Sequence, residues 1–184
     1  MILRNDEVAV PHRVLPCDER HAWNGTARFS RDGVYRYELS RVWNAGAEAI
    51  NFLMLNPSTA DETCNDPTVH RCVERGWRLG FSQVVVTNLF ALRSTDPQAL
   101  YSAPDPVGPR NDAAILRAAR AARVVVVAWG EHGAWNGRSR RVTALLARHK
   151  ISLFCLGTNR SGEPRHPLYL PYGAALTPFQ PPGG

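Results

Sequence analysis

Three residues of this 184-residue chain have types and settings that could do chemistry together. Asn56 closes the apolar run Ile50 to Leu55, Asn88 closes a second run, Val84 to Thr87, and His166 sits between Arg165 and Pro167. A side-chain amide offers one carbonyl acceptor and two N–H donors, so it can orient a water or read the polar edge of a base. A neutral histidine can donate a hydrogen bond to a group that departs as an anion. Neither is suited to forming a covalent bond to the substrate. Together they suit hydrolysis of a glycosidic bond through an oxocarbenium-like transition state.

Elimination narrows the field. The chain has no phosphate loop of the G-x-x-x-x-G-K-[ST] type, no G-x-G-x-x-G fingerprint, no G-x-S-x-G elbow and neither common zinc pattern. Cys17, Cys64, Cys72 and Cys155 form no C-x-x-C pair, so free and mostly buried thiols are expected, with no metal and no cofactor. The net charge of +6 favours a polyanionic partner, DNA first, duplex or single-stranded. No apolar run approaches a membrane span, which points to a cytoplasmic protein without a membrane partner. Lys150 is the only lysine, so a Schiff-base lyase step has almost no amine to use.

The elements that must position these residues alternate. Residues 26–43 read as a β-hairpin turning at Asp32-Gly33, and 47–57 as a strand covered on both faces. Asp66 and Pro67 begin a helix running to about Gly80, and 81–92 form a second buried strand. Helix 111–122 leads to strand 123–130, and helix 137–150 leads to strand 151–157. This pattern predicts one α/β domain over 1–184, a three-layer αβα sandwich with a mainly parallel central sheet, preceded by the N-terminal hairpin. Residues 1–25 form an extension and 179–184 a flexible tail. Ligands of such sheets collect beyond the carboxyl ends of the strands, where Asn56, Asn88, Trp129 and the loop carrying His166 are expected.

The motifs Leu55-Asn56-Pro57-Ser58-Thr59-Ala60, Asp66-Pro67-Thr68, Asn88-Leu89-Phe90, Asp105 to Asp112, Ala128-Trp129-Gly130 and Arg165 to Tyr169 resemble those of a bacterial family known only as a domain of unknown function. More distantly, their order is similar to that of the uracil-DNA glycosylase superfamily. That resemblance implies a monofunctional DNA glycosylase in which Asn56 positions the attacking water, Asn88 reads a flipped base and His166 steadies the departing base anion. Ser58 and Phe90 would also face the base, and Arg165 would press on the duplex. Ser58 stands where the uracil-restricted branch has a tyrosine, so a 5-modified pyrimidine fits, with defence against phage carrying modified DNA as the setting. The basic cluster Arg138, Arg140 and Arg141 is a candidate phosphate contact.

Other readings stay open. Asn56 can simply end a strand, Asn88 can satisfy buried backbone, and Asp66 reads more naturally as a helix cap than as an acid. Asp61 or Glu62 is an alternative base. At the level of function, a free nucleoside or nucleotide hydrolase and a non-catalytic nucleic-acid sensor compete with the glycosylase, and a monomer is expected throughout.

Overall fold

The computed structural model describes residues 7–12, 23–46 and 48–182. Eight strands form one mixed sheet: β1 (Glu7–His12), β2 (Asn24–Ser30), β3 (Arg36–Val42), β4 (Ala49–Met54), β5 (Gln83–Asn88), β6 (Val124–Val127), β7 (Leu153–Cys155) and β8 (Thr177–Pro178). Their order across the sheet is β1-β2-β3-β5-β4-β6-β7-β8. The centre, β5-β4-β6-β7, is parallel, and both flanks are antiparallel. The helices are α1 (Pro67–Arg78), α2 (Ala99–Ser102), α3 (Asn111–Ala121) and α4 (Arg138–Arg148).

The hairpin therefore does not precede the sheet as a separate element. β3 pairs with β5, so β2 and β3 extend the same sheet, and β1, inside the expected extension, adds an edge strand. The sheet is mixed rather than mainly parallel for the same reason. The expected flexible tail also begins too early: Phe179 is buried, and its N–H bonds the Leu153 carbonyl.

Burial follows the two-residue strand period. Ile50, Phe52 and Met54 of β4 pack with Val69, Cys72 and Val73 of α1. Leu53 and Leu55 pack on the opposite face with Ile115 and Ala119 of α3 and Val142 and Leu146 of α4. Helices thus cover both faces of the sheet, and β4, buried at all six positions, is apolar but for Asn51, whose Nδ2 is spent on the Val85 carbonyl and the Thr87 hydroxyl of β5.

One irregularity matters for the site. Across β2 and β3, Arg28 faces Glu38 but Phe29 faces Arg36, which leaves Tyr37 as an extra, bulged residue. Tyr37 packs with Ala91 and with Ala114 of α3, and Glu38 pairs with Arg117 of the same helix. Two successive side chains share the α3 face. Arg36 is thereby turned to the α1 face, the side that also carries Leu39.

Among the described residues Cys72 and Cys155 are free and buried, as the composition suggests, but Cys64 is disulfide-bonded, which corrects the expectation of free thiols; its partner lies outside the described residues. No helix among the described residues is long and apolar enough to cross a membrane.

Candidate functional site

Beyond the carboxyl ends of β4, β5 and β6, on the α1 side, lies a cavity of about 540 Å³. Asn56, Ser58, Asn88, Arg165 and His166 all line it. Even parity along β4 and β5 explains why: Met54 and Asn56, Val86 and Asn88 follow the α1-facing residues of their strands.

Asn56 is pinned by its donors. Its Nδ2 donates to the Pro57 carbonyl at 3.1 Å and to the Ser94 carbonyl at 2.8 Å. Both partners are acceptors only, so the amide can sit only this way round, and Oδ1 is left as the acceptor available to a ligand or water. The Ser94 N–H in turn bonds the Pro57 carbonyl, closing the loop around it.

Asn88 is 2% exposed, and its Oδ1 is buried with no hydrogen-bond partner among the described residues. Buried polar atoms are rarely left so, because the desolvation cost goes uncompensated. Its backbone is fixed instead: Nδ2 of Asn111, at the start of α3, donates to the Asn88 and Leu89 carbonyls, each at 2.9 Å. The approach to α3 is set by Asp105, whose Oδ1 accepts the N–H groups of Val107 and Gly108. Gly108 has φ +82 and lies against the Tyr35 ring, where a Cβ would collide. The Asp105 to Asp112 motif is thus scaffolding that aims the end of β5.

His166 opens a short 3₁₀ turn, Pro167–Tyr169, and its Nδ1 accepts the Leu168 N–H at 3.3 Å. That bond places the proton of the neutral ring on Nε2, which has no partner among the described residues. Burial holds the imidazole pKa down at about 4, with the nearby Asp66 carboxylate opposing the shift, so the ring is neutral at pH 7. Arg71 and Arg75 of α1 hold this loop: Arg71 donates to the Leu168 and Leu170 carbonyls, Arg75 to those of Leu170, Pro171 and Tyr172.

Asp66 is a helix cap, accepting the Val69 N–H at 2.8 Å, and it also lines the cavity. Asp61 and Glu62 do not; Asp61 Oδ1 is spent on the N–H groups of Thr63 and Cys64 and on the Thr63 hydroxyl.

Two expected contacts are corrected. Phe90 does not reach the cavity: it is 1% exposed and packs in the core against Trp135, on the other face of the sheet. Arg138 is no surface phosphate contact: it is 2% exposed, with Nε donating to the Leu89 carbonyl at 2.7 Å and Nη2 paired with Asp112 at 2.5 Å. Arg140 and Arg141 are exposed on α4, away from the cavity lining. The aromatic groups that do line the cavity are Trp129, whose indole N–H is spent on Glu163, and Tyr169, 76% exposed and 5.7 Å from the His166 ring.

Strand alternation alone does not foresee Arg36. It is 1% exposed, lines the cavity and donates from Nη1 to the Ala60 carbonyl at 2.6 Å. In a regular hairpin its neighbour Tyr37 would face α1 instead; the bulge is what exchanges them, and no residue type announces it.

Comparison with known proteins finds no match among curated proteins and none among solved structures. The family model for proteins of unknown function designated DUF1643 matches residues 36–168, from the cavity's arginine to the loop of its histidine, and the chain belongs to that family.

Proposed function

We propose that the protein is a metal-independent, monofunctional DNA glycosylase that takes an extruded base into this cavity and hydrolyses its N-glycosidic bond. The observation that carries the reading is the state of three side chains in one cavity. Asn56 presents a lone acceptor, Asn88 a buried amide oxygen, and His166 a neutral ring with its proton on Nε2, the last two atoms without a partner among the described residues.

In this reading Asn56 Oδ1 accepts a hydrogen bond from a water and holds its lone pair towards C1′. The C1′–N bond breaks with both electrons leaving on the base. His166 Nε2–H donates to the base oxygen where that charge gathers, and Asn88 holds the base edge. The water oxygen then bonds C1′ and loses its proton to solvent. Asn56 accepts no proton itself, so leaving-group stabilisation supplies much of the rate. Ser58 is small and lines the same wall, which supports room for a substituted pyrimidine. The net charge of +6 and the exposed Arg165 at the cavity support a DNA partner over a free nucleoside. The sheet with helices on both faces and the site at its carboxyl ends are in keeping with a uracil-DNA glycosylase-like sandwich.

The test is incubation with duplex and single-stranded oligonucleotides carrying uracil, cytosine, thymine and 5-substituted pyrimidines, followed by alkaline cleavage of abasic sites. Strand breaks with the wild type and at least a hundredfold fewer with Asn56→Ala and His166→Ala are expected. Base release from free nucleosides alone would move the assignment to a nucleoside hydrolase. Salt-sensitive binding without any product would leave a nucleic-acid sensor.

A further inference from the structure

We infer that Arg36 is an anion-recognising residue of the cavity: its guanidinium takes a singly charged, two-oxygen group at the buried end of the ligand, beside Asn88. The inference rests on the cavity being the ligand site and not on glycosidic chemistry.

A guanidinium carries five N–H donors and no acceptor. Among the described residues Arg36 has one acceptor, the Ala60 carbonyl, and its buried Nε has none. No carboxylate among them is close enough to form an ion pair with it. Burial lowers its pKa to about 10, with Asp66 and Asp61 opposing from a distance and Arg93 adding to the shift, so it remains a cation at neutral pH. A buried cation with no carboxylate in contact is costly and calls for an anion that can reach it.

The other enclosed arginines do not share this condition. Arg41 is spent on Asn65 and on the carbonyls of Ser40, Asp61 and Cys64, and its guanidinium covers Trp23. Arg138 is paired with Asp112. Arg71 and Arg75 also have an unpartnered Nε, but their outer nitrogens grip backbone carbonyls and neither lines the cavity. Arg36 alone of these opens on the cavity with donors unspent.

On the adjacent strand β5, Asn88 adds a second buried polar atom, Oδ1, without a partner among the described residues. An arginine fork takes two coplanar oxygens with bidentate geometry, and the unpartnered Asn88 Oδ1, an acceptor, takes an N–H of the ring that bears them. Asp66 on the same cavity wall disfavours a dianion by like-charge repulsion, which selects a singly charged, delocalised group. A carboxylate or ionised imide on a base meets that description, and so does a phosphate carrying one charge.

The probes are orotate and 5-carboxyuracil for the base-borne source, inorganic phosphate for the other, and uracil as the neutral control. Calorimetric titration of the whole protein is expected to show saturable binding of the carboxylates, at least tenfold tighter than uracil. Arg36→Met should lose at least tenfold, and Arg36→Lys less than that. Arg36-dependent binding of phosphate in place of the carboxylates would support the same site with a nucleotide phosphate as its source.

A readout on the unaltered protein guards against misfolded variants: the Arg36 Nε–H resonance in ¹⁵N-arginine-labelled protein should shift on addition of the bound probe. No saturable binding of any of these anions, or an unshifted resonance with Arg36→Met binding as well as the wild type, overturns the inference. Anion binding without oligonucleotide cleavage would sink the proposed reaction and leave this site standing. Cleavage without anion binding would do the reverse.

Discussion

Neutral His166 in the folded protein has a consequence that can be measured without any substrate. Its pKa is about 4, against an ordinary 6.5, because burial penalises the imidazolium more than Asp66 favours it. A pKa depressed on folding means that, between pH 6.5 and 4, the unfolded chain binds a proton that the folded chain refuses. Stability therefore falls as pH drops through that window and levels off below about 4. At ~1.4 kcal/mol per pKa unit the ceiling is about 3 kcal/mol, and partial solvent contact of the ring reduces the expectation to about 1–2 kcal/mol. Carboxylates and other histidines titrate nearby in pH, so the comparison is with His166→Gln, which keeps a polar side chain and cannot titrate. Urea denaturation of both proteins at pH 7.5 and pH 4 should show the wild type losing about 1–2 kcal/mol more than the variant. Carbon-detected titration of the ring gives the pKa directly. A ring titrating at 6.5 or above, or an equal loss in the two proteins, would refute the account of a buried neutral donor.

The corrected residues give stability predictions. Arg138→Ala should cost about 1–2 kcal/mol, because it removes one of the two donors to the buried Leu89 carbonyl, Asn111 remaining as the other, together with the Asp112 pair, while leaving any nucleic-acid affinity of the folded protein within about twofold; urea unfolding and a salt-dependent binding assay check the two halves. Phe90→Ala should cost about 3–5 kcal/mol in the same unfolding measurement, by opening a core cavity against Trp135. Arg71→Ala removes two carbonyl contacts and the guanidinium over Tyr172, so amide exchange at Leu168 to Leu170 should speed up about tenfold with little change in the central strands. Asn111→Ala should free the end of β5 at a cost of about 1–3 kcal/mol and lower the cleavage assay's signal through Asn88, whereas Asn111→Asp, which lacks the donors, should not rescue it.

Much of this architecture is legible in the chain. Asp66-Pro67 marks the start of α1, with the aspartate accepting the Val69 N–H as a cap should. The runs that become β4 and β5 are apolar because parallel strands covered on both faces have no solvent side to declare. Asp32-Gly33 lies in the turn between β2 and β3, Gly33 taking φ +72. The two amides and the histidine could be chosen because strand ends in α/β sheets gather on one rim, and they line one cavity.

Other features were illegible for physical reasons. β1 and the two-residue β8 are too short or too irregular to show a period, and their places come from pairing with β2 and β7. Phe90 follows Asn88-Leu89 in a motif that looks functional, yet its ring turns to the core face, where Trp135 covers it.

By itself, then, the sequence determined where the helices and central strands lie and which amides and imidazole stand at their ends, since caps, periodicity and turn residues act over a few neighbours. Only the tertiary structure decided that Arg138 is a buried tie and that Arg36 faces the cavity. A one-residue bulge at Tyr37 and the fit of α3 against β3 make that choice, and both depend on residues brought together from distant parts of the chain.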